Sequence, residues 1–131
     1  MALPQPEVEF LDSRGLAYAV SEEAGMTCVV FANYRLPSGL SASTADLLIR
    51  LSPGFPDVPP DMWWFSPGIS RTDGRVIPAT DVTEQHLGRS WQRWSRHLNA
   101  SQWQSGIDNL QTFLAMINRE VARYAQVELV N

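Results

Sequence analysis

Lysine is missing from this sequence. All ten basic residues are arginine, set against fourteen aspartates and glutamates, for a net charge of −4. An acidic chain is not built as a general nucleic-acid binder, because such binders hold phosphates with clustered positive charge. The missing lysine admits two accounts. One is a codon bias toward arginine. The other is that amines are excluded because the protein works beside chemistry that acylates them; arginine keeps its charge without being a nucleophile at physiological pH.

Cysteine is nearly absent too. Cys28 stands alone, so no internal disulfide can form. The two histidines are not grouped with thiols or acids at zinc-ligand spacing. The reading therefore calls for no metal and no cofactor. No apolar run approaches the roughly 20 residues of a membrane span, and the opening MALPQPEVEF lacks the basic start and apolar stretch of a signal peptide. The expectation is a cytoplasmic chain with no membrane partner. Its 131 residues, 44% of them apolar, suffice for one core and are too few for two, so residues 1–131 are expected to form one domain.

Hydrophobic patterning gives the order of elements. Residues 1–12 read as a short helix or irregular lead-in that ends near Gly15. Three β-like runs follow at 16–22, 26–36 (MTCVVFANYRL) and 45–51 (ADLLIRL), rich in β-branched and aromatic residues and separated by turn signals. In SPGFPDVPPDMWWF, the four prolines from Pro53 to Pro60 fix φ and remove amide donors, so the segment is extended or turned and not helical. Residues 61–65 are a candidate fourth strand, and 66–85 read as loop. Ser105, with Asp108 three residues on, looks like a helix N-cap. Ile107, Leu110, Leu114, Ile117, Val121 and Tyr124 then recur at helical spacing as one apolar face. The fold class expected is α+β: a four-stranded antiparallel meander packed on a C-terminal helix, behind a short N-terminal helix.

Between these elements lies RSWQRWSRHLNASQW, residues 89–103, with three tryptophans, three arginines and a histidine and neither glycine nor proline. This order of elements resembles the ubiquitin-conjugating E2 (UBC) fold over about residues 8–123. Two motifs carry the resemblance. Phe55-Pro56-Asp57-Val58-Pro59-Pro60, followed by Met62 and Phe65, looks like the E2 flap. In E2 enzymes the catalytic cysteine precedes a tryptophan with seven residues between them; here that tryptophan is Trp103, and the cysteine position is held by Ser95. LPSG at 36–39, FPDVPPDMWW at the flap and WQRWSRHL before the helix are similar to the prokaryotic E2 group called family E. The His-Pro-Asn element of ordinary E2 enzymes is missing, and Cys28 is far too early to be the nucleophile.

The resemblance implies an E2-like carrier in a bacterial ubiquitin-like conjugation pathway; phage defence is a candidate setting that clustering with defence genes would test. Its partners would be a ubiquitin-like protein, an E1-like activating enzyme and a JAB-type peptidase encoded nearby. On the residues themselves, Ser95 and His97 stand two apart, so in an extended segment they share a side. A serine hydroxyl needs a base to become a nucleophile, and histidine, with an ordinary pKa of about 6.5, is the usual one. The pair could accept the acyl group as an oxyester on Ser95; His97 could itself be the nucleophile, or could deprotonate the incoming amine. The alternative is a catalytically inactive E2 variant that scaffolds its partners. Trp91, Trp94 and Trp103 are expected to form the shelf under the site, or else a partner-binding patch. Of the adjacent Trp63 and Trp64, one faces outward in a strand, and Trp64 is the candidate contact. Arg89, Arg93 and Arg96 are candidates to grip an acidic partner. His86 is expected at the surface or in a loop.

If lysines are excluded by the chemistry, a lysine placed at Arg93 or Arg96 should become self-modified during turnover. Intact-mass spectra of these variants check this: clean variants alongside a modified substrate would leave codon bias as the account.

Overall fold

The computed structural model describes residues 3–125. Helix α1 (Gln5–Ser13) has a proline in its first turn, where the missing amide hydrogen has no helical partner to lose. Six strands follow: β1 (Tyr18–Glu23), β2 (Met26–Arg35), β3 (Thr44–Leu51), β4 (Met62–Ser66), β5 (Val82–His86) and β6 (Arg89–Ser95). They form one antiparallel sheet in the order β1-β2-β3-β4-β6-β5. A short 3-10 turn (Ala100–Gln102) and helix α2 (Leu110–Ala125) complete the chain.

The α+β class and the first four strands match expectation, but the four-strand count is corrected to six. The extra pair comes from the end of the supposed loop and from the tryptophan-rich stretch. These strands are joined by Leu87-Gly88, with φ of 54° and 75°, between the paired His86 and Arg89. A two-residue turn with both φ positive is the favoured hairpin geometry, usually announced by Asn-Gly or Asp-Gly. Leucine in the first position hides it. Ala24-Gly25, at 53° and 79°, closes the β1–β2 hairpin in the same way.

The start of the C-terminal helix also needs correction. Its cap is Asn109, not Ser105. Asn109 Oδ1 accepts from the Thr112 amide at 3.2 Å, and Thr112 Oγ1 accepts from the Asn109 amide at 2.8 Å, a reciprocal pair of the capping-box kind. Ser105 instead donates to Asp57 of the proline-rich segment. Ile107 therefore lies outside the helix and is 68% exposed, while Leu110, Leu114, Ile117 and Val121 are buried on the expected face.

That face packs on one side of the sheet, against Val29, Phe31, Leu47, Trp63, Phe65 and Trp94. The other side carries a smaller buried cluster of Cys28, Leu48, Trp64 and Trp91. In LPSG, Gly39 lies so close to the Ala125 carbonyl that a Cβ there would collide with it, and its φ of 98° is open mainly to glycine. Among the described residues no helix is long and apolar enough to cross a membrane.

α1 is tied to α2 by Glu7, which is 5% exposed and accepts from the Leu110 amide at 3.0 Å. Burial raises its pKa, and the hydrogen bond from Leu110 only partly offsets this. A carboxyl with a raised folded-state pKa holds its proton to higher pH than the unfolded chain does. Stability therefore falls as pH climbs from the ordinary carboxyl value through the raised one. Glu7→Gln keeps an acceptor for Leu110 and removes the buried charge. Urea midpoints should show Glu7→Gln faring better against the parent at pH 7 than at pH 4. An unchanged or reversed difference would contradict the assignment.

Candidate active site

Trp94 is the fixed point of the tryptophan-rich stretch. It is fully buried, stacks on Trp63 at 6.0 Å between ring centroids, and meets Phe65 and Tyr124 edge-on. Its Nε1 donates to Gln92 Oε1 at 3.0 Å, so the indole is held in place as well as covered. Along β6, alternation puts Gln92 and Trp94 on the α2 side and Trp91, Arg93 and Ser95 on the other. The expected shelf of three tryptophans therefore divides. Trp94 and Trp103 belong to the main core, whereas Trp91 lies in the cluster on the opposite face.

Trp64 shares that opposite face, as alternation required, but it is 7% exposed. Its Nε1 donates to Glu84 at 2.9 Å. Arg50 lies 6.0 Å over its ring, and Arg89 lies 4.5 Å over Trp91. Arg93 is bound to Glu84 at 2.9 Å and Arg89 to Asp46 at 2.9 Å. His86 is not a surface histidine: its two ring nitrogens lie 3.1 Å from Glu23 and 3.0 Å from Glu84, with 12% of the side chain exposed. The Leu87 amide, then His86, holds the Glu23 carboxyl below its ordinary pKa. For Glu84, desolvation pushes upward, but hydrogen bonds from His86, Trp64 and Arg93 outweigh it and the pKa is lowered. This polar roof fixes the two outer tryptophans.

Ser95 ends β6 opposite Met62, half-buried. Its amide donates to Ala79 O at 3.0 Å, and its carbonyl accepts from Arg96 Nη1 at 3.0 Å. Among the described residues its Oγ has no hydrogen-bond partner, His97 included. His97 Nδ1 instead lies 3.3 Å from Asp61 Oδ2, with the two side chains 65% and 53% exposed. Arg96 crosses to Glu120 on α2 and lies 5.1 Å over Trp94. Asp61 and Glu120 are thus site residues that the sequence reading missed. The β4–β6 register, with Met62 opposite Ser95, is what brings Asp61 beside the residues that follow Ser95. Nothing in the local spacing shows it.

The two motifs meet at Trp103. Its ring packs near Phe55, 6.4 Å between centroids, and its Nε1 donates to Pro56 O at 2.8 Å. Ser105, two residues further on, donates to Asp57. The proline-rich flap is therefore pinned to the segment just beyond Ser95.

The profile of prokaryotic E2 family E matches residues 3–124. The chain belongs to that family. Neither a curated protein nor a solved structure matches it. Membership gives this family E protein an E2-like role in conjugation, with a ubiquitin-like protein and an E1-like enzyme as the partners of that role. Among the described residues no group of three or more His, Cys, Asp or Glu could hold a metal ion.

Trp103→Phe should keep the ring against Phe55 and delete the bond to Pro56. The expected loss is about 1 kcal/mol, the usual net value of one hydrogen bond, with faster amide hydrogen exchange at residues 54–58. Unchanged exchange there would mean that Trp103 does not hold the flap.

Proposed function

We propose that this family E protein carries the C-terminal acyl group of a ubiquitin-like protein as an oxyester on Ser95 and passes it to a target amine. The observation that supports this most is the place of Ser95. Seven residues separate it from a tryptophan whose indole pins the flap, and among the described residues its Oγ has no competing hydrogen bond. In the loading step Ser95 Oγ attacks the activated carbonyl, its proton passes to His97, and the leaving group of the E1-like enzyme departs. In the transfer step the amine attacks the ester carbonyl, gives up a proton, and Ser95 leaves as the hydroxyl.

Asp61 at Nδ1 leaves Nε2 of His97 as the basic nitrogen, the arrangement of a base oriented by a carboxylate. Among the described residues His97 has that single polar contact, and its side chain is 65% exposed; exposed side chains change rotamer in picoseconds to nanoseconds. A hydrogen bond to Ser95 that forms only with the acyl donor bound is in keeping with how such sites tighten. The second reading is an inactive E2 variant that scaffolds its partners, and the absence of a Ser95–His97 hydrogen bond favours it.

Adduct formation with the activating enzyme, the ubiquitin-like protein and ATP separates the two. Ser95→Ala should abolish the adduct while the fold is kept. His97→Ala should slow it by about 100-fold, the scale of losing a general base, with a residual rate that rises with pH. Ser95→Cys should give a thioester, since a thiol needs less help from a base. Adduct on Ser95→Ala but not on His97→Ala would make His97 the nucleophile. Adduct on none of these proteins, the parent included, would leave the scaffold.

A further inference from the structure

β1 and β5 are the two edges of the sheet, with four strands between them, yet their ends touch across the outer face. Glu23 closes β1 and His86 closes β5. Glu23 Oε1 lies 3.1 Å from His86 Nδ1, and Glu23 Oε2 accepts from the Leu87 amide at 2.6 Å. His86 Nε2 lies 3.0 Å from Glu84 Oε1. The histidine is thus held between a carboxylate on each edge, with 12% of its side chain exposed. Its ring meets Trp64 at 5.3 Å between centroids, and its carbonyl accepts from Trp91 Nε1 at 2.9 Å. The contact lies over the cluster of Cys28, Leu48, Trp64 and Trp91, none of them more than 7% exposed.

Hydrogen counting decides the state of the ring. A neutral imidazole carries one N–H, and its other nitrogen can only accept; an ionised carboxylate also only accepts. The Leu87 amide, then His86, lowers the pKa of Glu23. Desolvation raises that of Glu84, but hydrogen bonds from His86, Trp64 and Arg93 outweigh it. Both carboxylates are therefore ionised at neutral pH. With such a partner at each ring nitrogen, both contacts are hydrogen bonds only when both nitrogens carry hydrogen. No neighbouring cation stands in for a missing one. Arg50 reaches the Glu23 carbonyl at 3.5 Å and stays 3.6 Å from Glu23 Oε1. Arg93 takes the other oxygen of Glu84 at 2.9 Å, and Arg89, opposite His86 across the turn, is bound to Asp46.

We propose that His86 is a proton-dependent latch between the two edges of the sheet, closed while its ring carries both hydrogens and released as rising pH removes one. Loss of either hydrogen sets a lone pair against an ionised carboxylate, and attraction at that contact becomes repulsion. Release frees the β5–β6 turn from Glu23 and loosens the cover over Trp64 and Trp91. The sign follows from linkage: the contact binds a proton, so what it contributes is present at low pH and is lost as pH rises. On the acid side it holds until pH falls through the lowered carboxyl values. A histidine read in this way is a switch of the kind that works by protonation alone, and it stands apart from the carrier reading of Ser95.

Two readouts on the ¹⁵N-labelled protein test the latch. Ring ¹⁵N spectra, with His86 assigned by its loss in His86→Gln, report the two ring hydrogens directly. Exchange of the Leu87 amide, corrected for the intrinsic effect of pH on exchange, reports whether Glu23 still holds the turn. Between about pH 5.5 and about pH 8.5, on either side of the ordinary imidazole range, the ring should pass from two hydrogens to one. Leu87 protection should fall about fivefold over the same range, the scale of a part-exposed charge pair. In His86→Gln that protection should no longer change with pH. Glu23→Gln is the second variant: its amide keeps an oxygen for Leu87 and offers a hydrogen to the neutral ring, so protection should stay level there as well. A ring with one hydrogen already at the lower pH, or still with two at the higher, overturns the latch. So does Leu87 protection that ignores the ring's titration, or that falls as far in both variants as in the parent.

Discussion

The stack of Trp94 on Trp63 is the contact on which the rest of this site depends. It joins β4 to β6 across the sheet, presents both rings to α2, and leaves no room for either strand to slip. A shift of one residue would turn every side chain of β6 to the other face. It would exchange Trp94 for charged or hydroxylated neighbours inside the core. Register is therefore heavily over-determined here, and register is what sets Asp61 beside the His97 segment and ends the strand at Ser95. Arg96 extends the constraint. It lies over Trp94, reaches Glu120 on α2, and hands one donor back to the Ser95 carbonyl.

The two faces of β6 do different work. The inner face builds a rigid bed from Trp94 and its neighbours. The outer face buries Trp64 and Trp91 under a roof of Glu23, Glu84, His86 and Arg93 whose hydrogen bonds are largely satisfied. Two carboxylates held below their ordinary pKa are stabilising while ionised, and that contribution is lost as pH falls through the lowered values. The arginine count has a local reason at these places. Guanidinium groups lie over Trp64, Trp91 and Trp94 while bonding carboxylates or backbone carbonyls, and a lysine ammonium lacks the forked donors to do both at once.

Much of the fold was legible in the sequence. The first four strands showed as β-branched runs, and the flap as prolines that exclude helix. What escaped was conformational or non-local. Leu87-Gly88 adopts a turn that leucine does not advertise, so a hairpin was read as loop. Asn109 outcompeted Ser105 as the cap because Thr112 can return its hydrogen bond, while Ser105 is taken by Asp57. At the site, the Ser95–Trp103 spacing is a sequence property, and so is the place of His97. The partnership of His97 with Asp61 is set by strand register between residues 36 positions apart. No local pattern carries that. The i, i+2 argument for Ser95 and His97 assumed an extended segment, but β6 ends at Ser95, and beyond that point strand alternation no longer governs direction.

The proposed carrier role of this family E protein rests on Ser95, at the end of the strand whose register the Trp94–Trp63 stack fixes. The most direct test is to find where the acyl group sits. After incubation of the unmodified protein with the E1-like enzyme, the ubiquitin-like protein and ATP, the adduct is digested and mapped by tandem mass spectrometry, with parallel samples treated with reductant and with hydroxylamine. The expected result is one modified site at Ser95, stable to reductant and removed by hydroxylamine. A reductant-sensitive adduct at Cys28, or a modification that resists both treatments, would contradict the account.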